Sequence, residues 1–148
     1  MEMPFEGVFF DIEYMDSYLN FEVDQKRFPN LKGLMQKLHE NKQKGVLILD
    51  AGIGVKNNPN WFNDEISKSK IFIQSQKNKN KFDGNLIGAV WPGAAVFPDF
   101  FNPATADYWA KGLKSLFDKS EFDGIWLDMN EVTSFCKDNA GECPDDAP

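Results

Sequence analysis

Val46-Leu47-Ile48-Leu49-Asp50 is apolar for four successive residues and then ends on a carboxylate. A short apolar run without polar alternation is the pattern of a strand covered on both faces, the usual situation in a parallel sheet. Two other segments repeat it. Gly7-Val8-Phe9-Phe10-Asp11-Ile12 reads as a buried strand, and so does Gly124-Ile125-Trp126-Leu127-Asp128. Each of the three runs into an aspartate.

Helical patterns lie between them. Leu31, Leu34, Met35 and Leu38 recur at i, i+3, i+4 and i+7, one apolar face of a helix. A lysine-rich last turn and Gly45 close that unit. Asn102-Pro103 has the form of a second helix start, with Asn as N-cap and Pro at the first helical position. Ala106, Trp109, Leu113, Leu116 and Phe117 then supply its apolar face. Residues 52–82 are long and polar, with loop signals at Asn57-Asn58-Pro59-Asn60 and from Lys77 to Lys81. Ile71-Phe72-Ile73 reads as a short strand inside this stretch. Leu86-Ile87-Gly88-Ala89-Val90-Trp91 reads as another, ended by Pro92-Gly93.

Strand, helix, strand, long excursion, helix, strand is a βα alternation, which calls for a parallel sheet with helices outside it. The expectation is one α/β domain over residues 1–148, a partial (β/α)8 TIM barrel with one long insertion. A whole barrel takes about 250 residues and eight strands. About three of the eight are present and the chain begins almost directly on a strand, so a fragment of a larger barrel is expected.

Composition narrows the function classes. The 148 residues are 42% hydrophobic and 26% charged, ordinary globular values, with a high aromatic share of 14%. Sixteen basic against 23 acidic residues give a net charge of -7, which argues against a general nucleic-acid binder, since that needs a basic face. No run approaches the roughly 18 apolar residues of a membrane span, and Met1-Glu2-Met3-Pro4-Phe5-Glu6 lacks a signal-peptide pattern. Cys136 and Cys143 sit close together in a polar stretch. A local disulfide would suit a secreted or lumenal protein; two free thiols in a cytosolic loop is the other reading. The single histidine, His39, is far from both, which disfavours zinc.

The three strand-terminal aspartates carry the chemistry. In a βα barrel the C-terminal strand ends form the mouth of the active site. Period-two alternation puts Ile48 with Asp50, and Trp126 with Asp128, on common faces. Aspartate after a strand also caps helices and bends loops, but three in register point further. Convergent carboxylates repel one another in a poorly hydrated pocket, so they need hydrogen bonds, a cation, or a function that uses the charge. Two functions fit: a Mg²⁺ or Ca²⁺ site, and glycoside hydrolysis, where carboxylates stabilise an oxocarbenium-like transition state. The metal reading has no nearby histidine and no Asp-x-Asp-x-Asp-Gly loop.

Gly124-Ile125-Trp126-Leu127-Asp128-Met129-Asn130-Glu131 resembles the signature of glycoside hydrolase family 31, the α-glucosidase, maltase and α-xylosidase group. Asp11-Ile12-Glu13-Tyr14-Met15-Asp16 resembles its second-strand motif, and Leu49-Asp50-Ala51-Gly52-Ile53 fits its third-strand end. Val90-Trp91-Pro92-Gly93 with Phe97-Pro98-Asp99-Phe100 resembles the aromatic stretch before the nucleophile strand. Glu13 departs from the usual Asp, and Val132 from the usual Pro or Ala.

The resemblance implies strands 2 to 4 of the barrel and a retaining hydrolase acting on an α-glucoside or oligosaccharide, with no cofactor. It implies Asp128 as nucleophile and Glu131 as a residue supporting the nucleophile loop. Asp11 and Asp50 would hydrogen-bond the glucosyl unit, and Ile12, Ile48, Trp91, Trp126, Met129 and Phe135 would wall it. The acid/base aspartate, the remaining strands and a β-sandwich would fall outside residues 1–148, leaving this stretch inactive by itself. The family and the cysteine pair suggest a secreted, lysosomal or endoplasmic-reticulum setting. A non-catalytic sugar-binding remnant, or a metal-dependent barrel enzyme using the same aspartates, are the competing readings.

Overall fold

The computed structural model describes residues 4–56, 58–62, 70–76, 82–131 and 133–135. Six strands and three α-helices follow in the order β1 (Gly7–Phe10), α1 (Leu31–Glu40), β2 (Lys44–Asp50), β3 (Ile53–Gly54), α2 (Pro59–Phe62), β4 (Ile87–Val90), β5 (Gly93–Val96), α3 (Ala104–Ser120) and β6 (Gly124–Asp128).

The three apolar runs form one sheet in the order β1-β2-β6, with both pairings parallel. β2 is central, and Leu47, Ile48 and Leu49 are all buried, as an unalternating apolar run requires. Burying one such side chain stabilises by roughly 1.5–3 kcal/mol. Because β2 and β6 are neighbours, everything from Ala51 to Asp123 is a single crossover. Its first part folds into a second sheet, antiparallel, in the order β3-β5-β4.

Several expected boundaries move, each for a local reason. β1 stops at Phe10 rather than Ile12: the Asp11 carboxylate accepts from the Ile12 N–H at 2.8 Å and caps a 3-10 turn over Ile12–Tyr14. α1 ends at Glu40 with Asn41 as C-cap, and Gly45, expected to end that unit, lies inside β2. Its missing side chain leaves room for Met35, whose sulfur a Cβ at that position would strike. Phe72 makes only a single bridge, to Pro98, so Ile71–Ile73 is not a strand. Pro92-Gly93 does not end the local structure but turns it back: Trp91 and Pro92 form a two-residue hairpin loop, and Gly93, at φ +87°, starts β5.

At α3 the cap holds in substance. Asn102 Oδ1 accepts from the Ala104 N–H at 3.0 Å, and Pro103 is already helical at φ -56°. The expected apolar face, however, is rotated. The buried row is Thr105, Tyr108, Gly112, Leu116 and Ser120, whereas Ala106 and Phe117 are exposed and Trp109 and Leu113 half-buried. Small and hydroxyl residues win the inward positions because Phe21 presses on the helix there; a Cβ on Gly112 would come within 2.6 Å of its ring. Thr105 and Ser120 bury their hydroxyls by bonding backbone carbonyls, Thr105 to Asp99 O and Ser120 to Leu116 O.

Trp61 and Trp109 are packing residues. Both stack around Phe21, with ring centroids 4.9 and 5.2 Å away. In α1 Leu34 is exposed while Leu31, Met35 and Leu38 are buried. His39, near the end of α1, pairs with Asp123 at 2.8 Å. The Lys77–Lys81 run lies outside the described residues. Among the described residues no helix is long and apolar enough to cross a membrane.

Candidate functional site

Parallel register decides which side chains meet. Asp50 lies opposite Asp128, and Ile48 opposite Trp126. Adjacent strands are about 4.8 Å apart, so the two aspartates flank each other at the C-terminal edge of the sheet. On the other side Phe10 pairs with Leu47, and Asp11, the next residue, follows the end of β1 close enough for its charge to act on Asp50.

Asp50 is the buried member, 5% exposed, whereas Asp11 is exposed and Asp128 intermediate. Burial, then the charges of Asp128, Asp11 and Glu131, push its carboxyl up to about 6. Three acidic groups thus act on a fourth. No described residue donates a hydrogen bond to the Asp50 carboxyl. Among the described residues, no group of three or more His, Cys, Asp or Glu side chains is arranged to hold a metal ion.

The loop after β6 is fixed by the second sheet. Asp128 Oδ1 accepts from the Met129 N–H at 2.6 Å, and Met129 takes a left-handed conformation at φ 51° that turns the chain. Its side chain packs against Val90, Ala95 and Phe97. Further on, the Phe135 N–H donates to Ala89 O at 2.7 Å, and the Ala89 N–H donates to Ser134 Oγ at 3.0 Å. Gly88 makes this docking possible, since a Cβ there would lie 2.8 Å from Thr133 O.

That docking brings Phe135 to 5.5 Å from Trp91, ring to ring, and Trp91 is 6.0 Å from Tyr18. The three rings are 51%, 49% and 37% exposed, an open aromatic ridge. Tyr18 was not among the expected site residues. Neither was Phe9, which is 67% exposed and meets Trp126 edge-on at 6.4 Å. Period-two parity in β1 identifies Phe9 beforehand; nothing local to Tyr18 does. Ile12 and Ile48 are almost wholly buried in the main core, so little of either remains for a ligand. Glu131 is exposed but close enough for its charge to reach Asp50. The donor to the Asp128 carboxylate is the Met129 N–H rather than the neighbouring Asn130 amide. Cys136 and Cys143, with any disulfide between them, lie outside the described residues. Phe97 and Pro98 are buried packing, and Phe100 and Phe101 face outward.

Asp123 anchors the opposite end of the sheet. Its carboxylate takes hydrogen bonds from the Gly45 N–H, Lys44 and His39 at 2.8–2.9 Å. Burial opposes the charge there, but those donors outweigh it and hold the group at about 2.

A sheet of parallel strands with helices packed outside, and carboxylates gathered at its C-terminal edge, is the arrangement at the mouth of a βα barrel. All 148 residues match the glycosyl hydrolases family 31 TIM-barrel domain, and the chain belongs to that family. It is 42% identical over 143 residues to glucoamylase 1 of Candida albicans, covering 95% of this chain and 15% of that protein. It is 40% identical over 148 residues to an α-glucosidase of Aspergillus niger, covering 95% of this chain and 14% of that protein. The chain therefore spans about one seventh of the length of these relatives. Among solved structures it superposes on a glucosidase II alpha subunit with a TM-score of 0.75 at 32% identity, over 90% of this chain and 14% of that one. The family 31 α-glucosidase of Bacteroides thetaiotaomicron superposes with a TM-score of 0.72 at 31% identity, over 96% and 23% respectively.

Proposed function

We propose that this chain is the nucleophile-bearing part of a retaining α-glucosidase, with Asp128 as the nucleophile. The observation that carries the reading is the opposed pair Asp50 and Asp128 at the C-terminal edge of a parallel sheet, in a family whose named relatives include α-glucosidases. β1, β2 and β6 then correspond to barrel strands 2, 3 and 4, and the β3-β5-β4 sheet is an insertion between strands 3 and 4.

Retention proceeds in two displacements. Asp128 attacks the anomeric carbon as a carboxylate while a protonated carboxyl about 5–5.5 Å away gives its proton to the leaving oxygen. Water then releases the sugar, activated by the same second group. By family resemblance that group lies on a barrel strand later than β6, so residues 1–148 alone are not expected to turn over substrate. The 2.6 Å bond from Met129 N–H to Asp128 Oδ1 fixes the orientation of that carboxyl. Asp50, without a donor among the described residues, is placed to accept from a glucosyl hydroxyl, as is Asp11. Trp126, Met129, Trp91 and Phe135 offer apolar surface to the C–H face of the ring, Ile12 and Ile48 lie behind them, and Glu131 supports the nucleophile loop. A glucosidase II alpha subunit solved with α3-Glc2 bound makes a glucose-terminated oligosaccharide a reasonable substrate class.

The test is covalent trapping in the full-length polypeptide carrying these residues. A slow fluorinated α-glucosyl donor is expected to leave its adduct on the peptide containing Asp128, and Asp128→Asn is expected to abolish maltose hydrolysis without lowering the thermal midpoint. An adduct on another carboxylate, or a near-normal rate in Asp128→Asn, removes Asp128 from the role.

A further inference from the structure

β1 is shorter than the strand it pairs with. Its last residue, Phe10, faces Leu47, yet β2 continues to Asp50. Backbone groups along a strand point alternately to one neighbour and the other. The Lys44 N–H donates to Glu6 O on the β1 side, so Val46, Ile48 and Asp50 point that way too. Val46 still lies beside Phe9, but Ile48 and Asp50 have no β1 residue in register with them.

Two side chains take its place. Tyr14 Oη donates to Ile48 O at 2.8 Å, and Asn20 Nδ2 donates to Asp50 O at 2.6 Å and Gly52 O at 3.2 Å. Both come from the chain that has just left β1, and both are buried, at 0% and 1% exposure. Asn20 keeps this place at a cost, because its other amide atom, Oδ1, is buried with no hydrogen-bond partner among the described residues. A leucine of similar size would avoid that cost. What the amide supplies is therefore the grip of Nδ2 on two alternate carbonyls either side of Ala51.

We propose that Asn20 is a positioning residue: by holding the main chain at Asp50 and Gly52 it keeps the Asp50 carboxyl on the face it shares with Asp128. A strand that turns by one residue at its end sends its side chain to the opposite face, and Asp50 is the last residue of its strand. The proposal rests on the α-glucosidase reading, in which Asp50 contacts the sugar.

The experiment measures kcat/KM for p-nitrophenyl α-glucoside in the full-length polypeptide carrying these residues. Wild type, Asn20→Ala, Asp50→Asn and the double variant are compared, each with its thermal midpoint. Asn20→Ala is expected to lower kcat/KM by about tenfold to a hundredfold, the scale of a displacement near ~1 Å. In the Asp50→Asn background the same change is expected to cost less than about threefold, because its route of action is gone. Equal losses in the two backgrounds overturn the proposal. Should Asn20→Ala not fold, Asn20→Asp replaces it: the shape is kept, and only the protonated acid can donate to Asp50 O. Its kcat/KM relative to wild type is then expected to rise between pH 7 and pH 5, and a flat ratio overturns the proposal. A wild type without glucosidase activity defeats the α-glucosidase reading and this one with it. An active wild type with additive losses defeats only the role of Asn20.

Discussion

Replacing Asp50 by Asn is expected to stabilise the protein at neutral pH while weakening the site. The group is 5% exposed, and burial together with Asp128, Asp11 and Glu131 raises its pKa from 3.8 to about 6. One pH unit corresponds to 1.36 kcal/mol, so the interval from 3.8 to about 6 is worth about 3 kcal/mol. The sign follows from proton binding. Between these values the folded state holds the Asp50 proton more tightly than the unfolded chain does, so stability falls as pH rises and the loss is complete above about 6. Asparagine has nearly the same shape and no charge to desolvate. Urea unfolding at pH 7.5 should therefore show Asp50→Asn more stable than wild type by about 3 kcal/mol, and at pH 4 or below the two should nearly coincide. Affinity for substrate should fall in the same variant, the usual opposition of stability and function at a charged site. No gain at pH 7.5, or the same gain at pH 4, would show that the carboxyls do not crowd Asp50 as the register implies.

Two further outcomes follow from packing and charge. Gly112→Ala should destabilise by up to roughly 2 kcal/mol in thermal unfolding: overpacking of about 1–3 kcal/mol is set against a helix propensity gain of about 1 kcal/mol, since the new Cβ would press on the buried Phe21 ring at 2.6 Å. Trimming that ring with Phe21→Leu should turn the same Gly112→Ala change neutral or favourable. For Asp123, held at about 2 against an ordinary 3.8, the stabilisation is present above about pH 4 and is lost as pH falls through about 2. Asp123→Asn should flatten that stretch of the acid-unfolding profile, and an unchanged profile would mean that the Lys44, His39 and Gly45 contacts do not favour the charged form.

The identity of the strands was written locally. A run such as Val46–Leu49 has no hydrophilic side to turn to water, so it has to be covered on both faces whatever surrounds it. Three such runs separated by helical periods dictate a parallel sheet, and period-two alternation then puts Asp50 and Asp128 on the faces of Ile48 and Trp126. The motif around Asp128 carried the family. Strand identity and parallel order use only neighbours in sequence and hold, but the burial expected of the two flanking runs does not: no residue of β1 or β6 is buried, and Phe9 and Leu127 are exposed, because only β2 has a strand on each side.

What depends on contacts between distant segments was not legible. The inward face of α3 is set by Phe21, some ninety residues earlier, and so it differs from the face that apolar spacing alone selects. β5 exists because β3 and β4 both pair with it, although Gly93-Ala94-Ala95-Val96 has weak strand character by itself. The aromatic ridge of Tyr18, Trp91 and Phe135 joins three separated segments, and it forms only because Gly88 lets the loop after β6 lie along β4. Asn20 looked like any polar loop residue; its burial beneath two carbonyls of the β2 end is a consequence of β1 stopping early. Sequence by itself determined which residues form strands and which carboxylates end them, because covalent neighbours fix periodicity. Only the tertiary structure decided how far each strand runs and what satisfies it there, because unpaired buried backbone groups recruit whatever side chain the fold brings within reach.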